Sequence, residues 1–357
     1  MATLTQSAIV ARKGVRYVLY GLIFLIFVRA VYNLGSGIYR KYFPTPPPTP
    51  TVSFGKLPKL PFPESKGPKD LAYTIETPDG KLPKLPPQMK VYFMPSVNSS
   101  IGALDNAKEK AKNLGFDPNG KILVENVPNV YVFSKKDAPS TLTMNIVTGV
   151  FSVSYDINSD PSIIGQTPPS PASATKQVQA FLGRGKYLEA DISGPVTNEF
   201  LKIVNRELQK VSSQSEADFV KVNLFRSNIE EKIPSLPPNP KEANVWFILS
   251  GSQEKEKQIF AGEYHYFAID KEKSGTYPIM TPEEAVDTLK RGEAYIANIG
   301  NVSGKNITVR RIFLAYFDPE QYTEFAQPIF VFEGDEDFTA YVPAISPKFY
   351  GSEEKKQ

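Results

Sequence analysis

The sequence predicts an α+β protein, tethered by one membrane helix and carrying two domains that each combine an antiparallel sheet with helices. Three observations carry this: one apolar run near the start, Tyr17 to Leu34; a proline-rich stretch directly after it, Pro44 to Pro68; and, beyond, helix-patterned segments each followed by alternating strand runs. The organisation read from them is a cytoplasmic tail over 1–16, a transmembrane helix over 17–34 and a proline-rich stalk over 35–68. A first α+β domain over 69–160, a linker over 161–171, a second α+β domain over 172–350 and a disordered tail over 351–357 complete it.

Between Val18 and Leu34 lie eleven residues of the Leu, Ile, Phe and Val class, which favour insertion into a bilayer by about 3 to 7 kcal/mol. Arg29 opposes this by about 2.5 to 3.5 kcal/mol at a bilayer centre, but it stands near the end of the run, where its side chain reaches the headgroups. Insertion wins. Tyr17 and Tyr20 at one end and Tyr32 at the other are placed like interfacial anchors, and Arg12, Lys13 and Arg16 predict that the N-terminus stays inside. The expected location is the cytoplasmic (inner) membrane, single-pass, with the body extracytoplasmic. A signal peptide cleaved after Val28-Arg29-Ala30 is the alternative reading of the same run.

The prolines that follow favour polyproline II, with a reach on the order of 75 Å if the stretch to Pro68 is fully extended. Within it the phrase Lys56-Leu57-Pro58-Lys59-Leu60-Pro61 recurs as Lys81-Leu82-Pro83-Lys84-Leu85-Pro86, separated by a strand-like run, Leu71 to Thr77, and the turn Pro78-Asp79-Gly80. Lys56, Lys59, Lys81 and Lys84 offer a docking strip for an acidic polymer or a partner domain. The preferred reading is a linker that braces the first domain by lying along its surface.

In the first domain, Lys90 to Met94 reads as a strand and Ile101 to Leu114 as a helix stopped by Gly115, followed by strands at Lys121 to Val124, Val130 to Ser134, Thr141 to Val147 and Phe151 to Tyr155. The second domain is expected to start with helices over Ser173 to Leu182 and Asn198 to Val211. Its strands follow at Phe219 to Phe225, Val245 to Ser250, Gln258 to Asp270, Ala294 to Ile299, Ile307 to Asp318, Ile329 to Glu333 and Phe338 to Ile345. Between them Thr281-Pro282-Glu283-Glu284 supplies a cap, a first-turn proline and a capping-box glutamate for a helix that ends at Arg291-Gly292. Helix followed by strand hairpins in both halves predicts a repeated topology.

The run from Ala107-Lys108 through Leu114-Gly115-Phe116 to Leu142–Gly149 and Phe151–Tyr155 resembles PepSY-type domains, in which a helix leads into a meander of strands with a glycine turn. The C-terminal run Gln327 to Gly334, then Ala340 to Ala344, is similar to the end of the YycH/YycI-type regulators of the WalK sensor kinase, which are single-pass anchored proteins with extracytoplasmic α+β domains. The combined pattern also resembles proline-stalked bacterial membrane proteins. The resemblance implies no catalytic residues.

The net charge of +3 and the mixing of acidic with basic residues exclude a nucleic-acid footprint. With no cysteine and one histidine, His265, thiol chemistry and the usual zinc and iron–sulfur ligand sets are excluded, and neither cofactor nor metal is expected. Glu263 and His265 share a strand face with Phe267 and Ile269, and Tyr264 and Tyr266 point the other way; the acidic–histidine neighbours suit an acid–base pair, but a cross-strand structural pair is expected. Glu333, Asp335, Glu336 and Asp337 are expected to be a solvated turn, since their spacing matches no calcium loop. Arg310 and Arg311 point to opposite faces, with a ligand carboxylate or an ordinary ion pair as the uses of Arg310; Trp246 is expected in the core. The function class read from all this is a non-enzymatic regulatory or scaffold protein acting through protein contacts in the cell envelope. The alternative is a binding module for a cell-wall or surface polymer.

Overall fold

The computed structural model describes residues 4–42, 48–64, 70–96, 102–122, 128–302 and 304–352. Residues up to Thr49 and residues from Pro50 onward are separate units. The chain is mixed α+β and mostly sheet, with four α-helices among the described residues.

The first unit is one helix, α1 (Leu4–Tyr42). Its segment Arg16–Ser36 is long and apolar enough to cross a membrane, and every residue of Tyr17–Leu34 is exposed. Residues 35–42 are helical rather than stalk, because no proline occurs before Pro44 and the two glycines, Gly35 and Gly37, cost a helix only about 1 kcal/mol each. The prolines at 44–47 and the Pro68 end of the predicted stalk lie outside the described residues.

The rest of the predicted stalk is built into the body. Strand β1 (Leu57–Pro58) pairs in parallel with the last strand, β20 (Tyr350–Ser352), and Leu57 and Leu60 are buried. Phe54 and Phe62 lock the segment on either side: Phe54 lies 4.8 Å from Phe325, and Phe62 stacks on Tyr295 at 4.9 Å. Aromatic burial overrides the extended polyproline preference here. Gly351 and Ser352 are likewise strand rather than tail; 353–357 lie outside the described residues.

The next elements are β2 (Ala72–Ile75), β3 (Gln88–Phe93), α2 (Ala103–Asn113), β4 (Lys121–Ile122), β5 (Val130–Ser134), β6 (Ser140–Asn145), β7 (Phe151–Tyr155) and α3 (Pro171–Arg184). The expected helix start Ile101 and strand end 123–124 lie outside the described residues. After α3 come β8 (Val196–Val204), β9 (Glu207–Val211), β10 (Phe219–Leu224), β11 (Ser235–Leu236), β12 (Val245–Ser250), β13 (Ile259–Tyr264) and β14 (Asp270–Pro278). Helix α4 (Pro282–Lys290) is followed by β15 (Tyr295–Asn298), β16 (Asn306–Phe317), β17 (Phe325–Ala326), β18 (Pro328–Gly334) and β19 (Thr339–Pro343).

The two predicted domains do not close separately. A nine-stranded sheet, β4-β5-β6-β7-β13-β12-β10-β8-β9, runs across the predicted boundary, because β7 pairs antiparallel with β13. The pairing satisfies the backbone N–H and C=O groups that β7 would otherwise leave unpaired along that edge. The predicted linker is packed too: Ile163 is buried, and Gly165 N–H donates to Asp218 at 2.9 Å. Conversely, β2 and β3 leave the first predicted domain. β2 pairs in parallel with β16, and β3 pairs with β14 and β17, carrying Met89, Val91 and Tyr92 into a core with Phe330 and Phe332.

Period-two alternation sets what each face of the nine-stranded sheet buries. Val245, Phe247 and Leu249 of β12 point to a core with α2 and α3, including Ala107, Ala111, Val178 and Phe181, whereas Trp246 and Ile248 point to the opposite face with Phe219 and Ile163. Trp246 is half-buried rather than core, with the Lys221 ammonium over its ring at 4.3 Å. The second core lies between the six-stranded sheet β11-β16-β18-β19-β15, with β2 on β16, the three-stranded sheet β14-β3-β17 and α4. Helix α4 has the predicted capping box between Thr281 and Glu284, and Gly292 at φ +75 closes it. Helix then antiparallel strands thus occurs three times, after α2, α3 and α4.

Two expected elements differ. Asn198–Val211 is the hairpin β8–β9, not a helix. Leu201, Val204, Leu208 and Val211 recur at helical spacing, but Asn205 and Arg206 both take left-handed φ, +55 and +69, as a two-residue hairpin turn requires, and β10 offers β8 a sheet partner. The run Gln258–Asp270 is also not one strand: it leaves the nine-stranded sheet after Tyr264 and enters the three-stranded sheet at Asp270. That crossing builds the site described next.

Candidate functional site

Between β13 and β14 the chain passes from one core to the other and lines a cavity of about 540 Å³. Tyr264 ends β13, Tyr266 and Phe267 follow on the crossing itself, and Tyr322 stands on the far side with its ring 5.7 Å from Phe267. The opposite wall comes from the last turn of α2 (Lys110), the β6–β7 turn at Gly149 and the segment Lys186–Glu189 after α3. Lys186 takes φ +57 at the end of α3, and Tyr187 N–H returns to Leu182 C=O at 2.8 Å, which turns the Tyr187 ring back under the cavity. Tyr187 then stacks edge-on against Tyr264 at 4.8 Å and against Phe151 at 4.7 Å.

Of the floor tyrosines, Tyr187 and Tyr264 are almost fully buried, and Tyr266 and Tyr322 are half-buried. Tyr264 Oη–H donates to Tyr187 C=O at 2.9 Å, Tyr266 Oη–H to Asp191 at 2.8 Å and Tyr322 Oη–H to Met94 C=O at 2.9 Å, while Tyr187 Oη–H points at Met144 Sδ at 3.5 Å. Burial pushes the Tyr187, Tyr264 and Tyr266 hydroxyls above their ordinary value, so all three are neutral phenols at neutral pH. Behind the floor Arg226 is almost fully buried. It pairs with Asp191, donates from Nε to Asp318 at 2.9 Å and from Nη2 to Phe267 C=O at 2.8 Å, and covers the Tyr266 ring at 4.5 Å. Burial alone would weaken its charge, but the two carboxylates hold it ionised. Because Asp318 follows β16 and Arg226 follows β10, this cluster ties the two cores together under the cavity.

Lys110 supplies the half-buried charge in the wall, its Nζ 4.3 Å from the Tyr187 ring centroid, and Lys186 and Glu189 add exposed charges at the rim. Burial pushes the Lys110 ammonium below the ordinary lysine value; Glu189 opposes the shift and Lys186 adds to it. A smaller cavity of about 140 Å³ near the ends of α2 and α3 holds Lys135, which is paired with Glu256 at 3.2 Å.

The residues singled out in the sequence lie elsewhere. Glu263 and His265 do meet, Nε2 to Oε2 at 3.3 Å, with His265 Nδ1 3.0 Å from Glu320 C=O. Burial opposes the imidazolium, but the Glu263 carboxylate and the Glu320 carbonyl outweigh it and raise the His265 pKa; the histidine in turn lowers that of Glu263. Phe267 does not share their side, because the strand ends first and it turns into the cavity with Tyr264 and Tyr266. Arg310 is an ion-pair centre, gripping Asp335 through Nε and Nη2 and Glu76 through Nη1, all within 3.1 Å. Asp337 pairs with Lys241 at 2.8 Å, and no group of three potential metal ligands occurs among the described residues. Lys56, Lys59, Lys81 and Lys84 are exposed on the body, and Tyr17, Tyr20, Arg29 and Tyr32 are exposed on α1. Sequence reading missed Lys110, Tyr187 and Tyr322. The aromatic cluster Tyr264 to Phe267 is the sequence signal that points to this cleft.

No family model and no curated protein matches the chain. Among solved structures it is similar to an uncharacterized protein from Eubacterium rectale ATCC 33656, at 12% identity and a TM-score of 0.39, over 76% of this chain and 86% of that one. It is also similar to the Bacillus megaterium YpeB C-terminal domain, at 13% identity and a TM-score of 0.32, over 71% of this chain and 96% of that domain.

Proposed function

We propose that this chain is a membrane-anchored, non-enzymatic regulatory or scaffold protein of the cell envelope, N-terminus inside and body outside, whose tyrosine-floored cleft receives a partner protein. The observation that carries the reading is the cleft: a cavity of about 540 Å³ where two cores meet, of the size and aromatic lining typical of binding sites. Its phenolic hydroxyls are engaged in hydrogen bonds that hold the floor together, so what faces the cavity suits stacking and charge contact rather than proton transfer. The exposed apolar surface of α1 and the basic cluster before it support a single-pass, N-inside anchor. A PepSY-like body is part of the same reading, supported by the meander β4–β7 that follows α2.

The test is photo-crosslinking in intact membranes from a reactive group placed at Ala268, an exposed position on the cleft lip. A discrete protein adduct is expected. Its loss is expected when residues 1–43 are replaced by a cleavable secretion signal, which removes the high effective concentration of a tethered body. A polysaccharide adduct, or full complementation of a deletion phenotype by the released body, overturns the proposal.

A further inference from the structure

The cleft also carries information about its ligand, and the inference rests on the reading of the cleft as the binding site. Three half-buried lysines on this body are paired: Lys135 with Glu256, Lys221 with Glu242, and Lys257 with Asp160 and Glu254. Lys110 and the half-buried Lys108 have no carboxylate within ion-pair distance among the described residues, and of the two it is Lys110 that lines the cavity, its near contact being the face of Tyr187. A desolvated ammonium at a cavity wall, with its acidic neighbour Glu189 out at the exposed rim, is complementary to an anion that arrives with the ligand. Lys186 at the rim adds a second positive charge, shared with Glu109 at 4.0 Å.

The body of that ligand is defined by the floor. A sugar ring stacks on aromatic faces but carries many hydroxyls that each need a partner, and the Tyr264, Tyr266 and Tyr322 hydroxyls have given their one proton within the protein and can only accept. A flat apolar group loses nothing there. We infer that the cleft binds a carboxylate carried on a flat apolar body, with Lys110 holding the carboxylate and the half-buried Tyr266 and Tyr322 rings receiving the body. A free chain end with an aromatic last residue and a small aromatic acid share this chemistry.

Calorimetry on the full chain in lipid nanodiscs separates the possibilities, using N-acetyl-phenylalanine, its carboxamide, and a tetrapeptide ending in phenylalanine with a free carboxylate. The acid is expected to bind about tenfold or more tighter than the amide, the ratio for one charge-assisted hydrogen bond. Lys110→Met should reduce the acid to the affinity of the amide, and Lys110→Arg should keep the discrimination. Tyr322→Ala should weaken both probes, which locates them in the cleft. Tighter binding of the tetrapeptide assigns the ligand to a partner's chain end, and equal binding assigns it to a small aromatic acid and overturns the partner-protein reading of the cleft. Equal affinity for acid and amide, an unaffected Lys110→Met, or no binding of any probe at millimolar concentration overturns the inference. A protein adduct at Ala268 alongside any of these results would remove the carboxylate and leave the tethered-binding proposal intact.

Discussion

The two copies of the lysine-leucine-proline phrase have the same six residues and different fates. In the first, Leu57 is fully buried and Leu60 nearly so, Leu60 N–H donates to Tyr350 Oη at 2.9 Å, and Pro58 C=O accepts from Gln327 Nε2 at 3.0 Å. In the second, Leu82 and Leu85 are only half-buried at the margin of the core that takes Leu57, and the described bond of the phrase is local, Thr77 Oγ1–H to Lys81 C=O at 2.8 Å. The neighbours decide. Phe54 and Phe62 anchor the first copy from both sides, whereas the second runs from the turn at Gly80 to β3 with no aromatic of its own. In both copies the lysines face solvent, so the shared feature is the spacing that keeps Lys out while Leu turns in.

If burial rather than sequence sets the contribution of each copy, Leu57→Ala should cost about 2–5 kcal/mol and Leu85→Ala about 1 kcal/mol in urea unfolding of the full chain. Equal losses would break the comparison. Tyr350→Phe comes next: it removes one bond that only the first copy makes and should cost about 0.5–1.5 kcal/mol without changing the Leu85→Ala penalty. Paired Lys59→Gln and Lys84→Gln changes should each stay within about 0.5 kcal/mol, and a larger loss at either would point to a contact role for that lysine. The smallest effect is on pH dependence. The raised pKa of His265 makes its contribution full below the ordinary value of 6.5 and lost as pH rises through the folded value. The parent chain should therefore lose some stability across that window and His265→Gln should not, while the Leu57→Ala to Leu85→Ala difference, which involves neither His265 nor Glu263, stays constant.

Elements with strong local signals were legible. The capping box at Thr281–Glu284, the stop at Gly115 and the strand Val245–Ser250 appear where the residues predict them. The misread elements are those with two local solutions. The spacing of Leu201, Val204, Leu208 and Val211 fits a helix face as well as the outer strands of a sheet, and only pairing with β10 chooses. Proline content predicts a stalk through 54–62, but Phe54 and Phe62, which an extended, solvated stalk has no use for, pack against Phe325 and Tyr295. Of the candidate site, the Glu263–His265 contact was readable because strand alternation puts the pair on one side. The cleft was not, since Lys110, Tyr187, Tyr264 and Tyr322 come from four separated parts of the chain.

By itself the sequence determined what depends on neighbours along the chain: the apolar run of α1, the caps and turns, the alternation within most strands and the absence of cysteine chemistry. The tertiary structure alone decided which strand lies beside which. β7 beside β13 merges the predicted domains, β2 beside β16 moves an early segment into the late core, and β1 beside β20 binds the stalk's second half to the body. The physical reason is that a strand's hydrogen-bonding edge is the same for any partner, so pairing is selected by the apolar faces that meet when the whole chain closes.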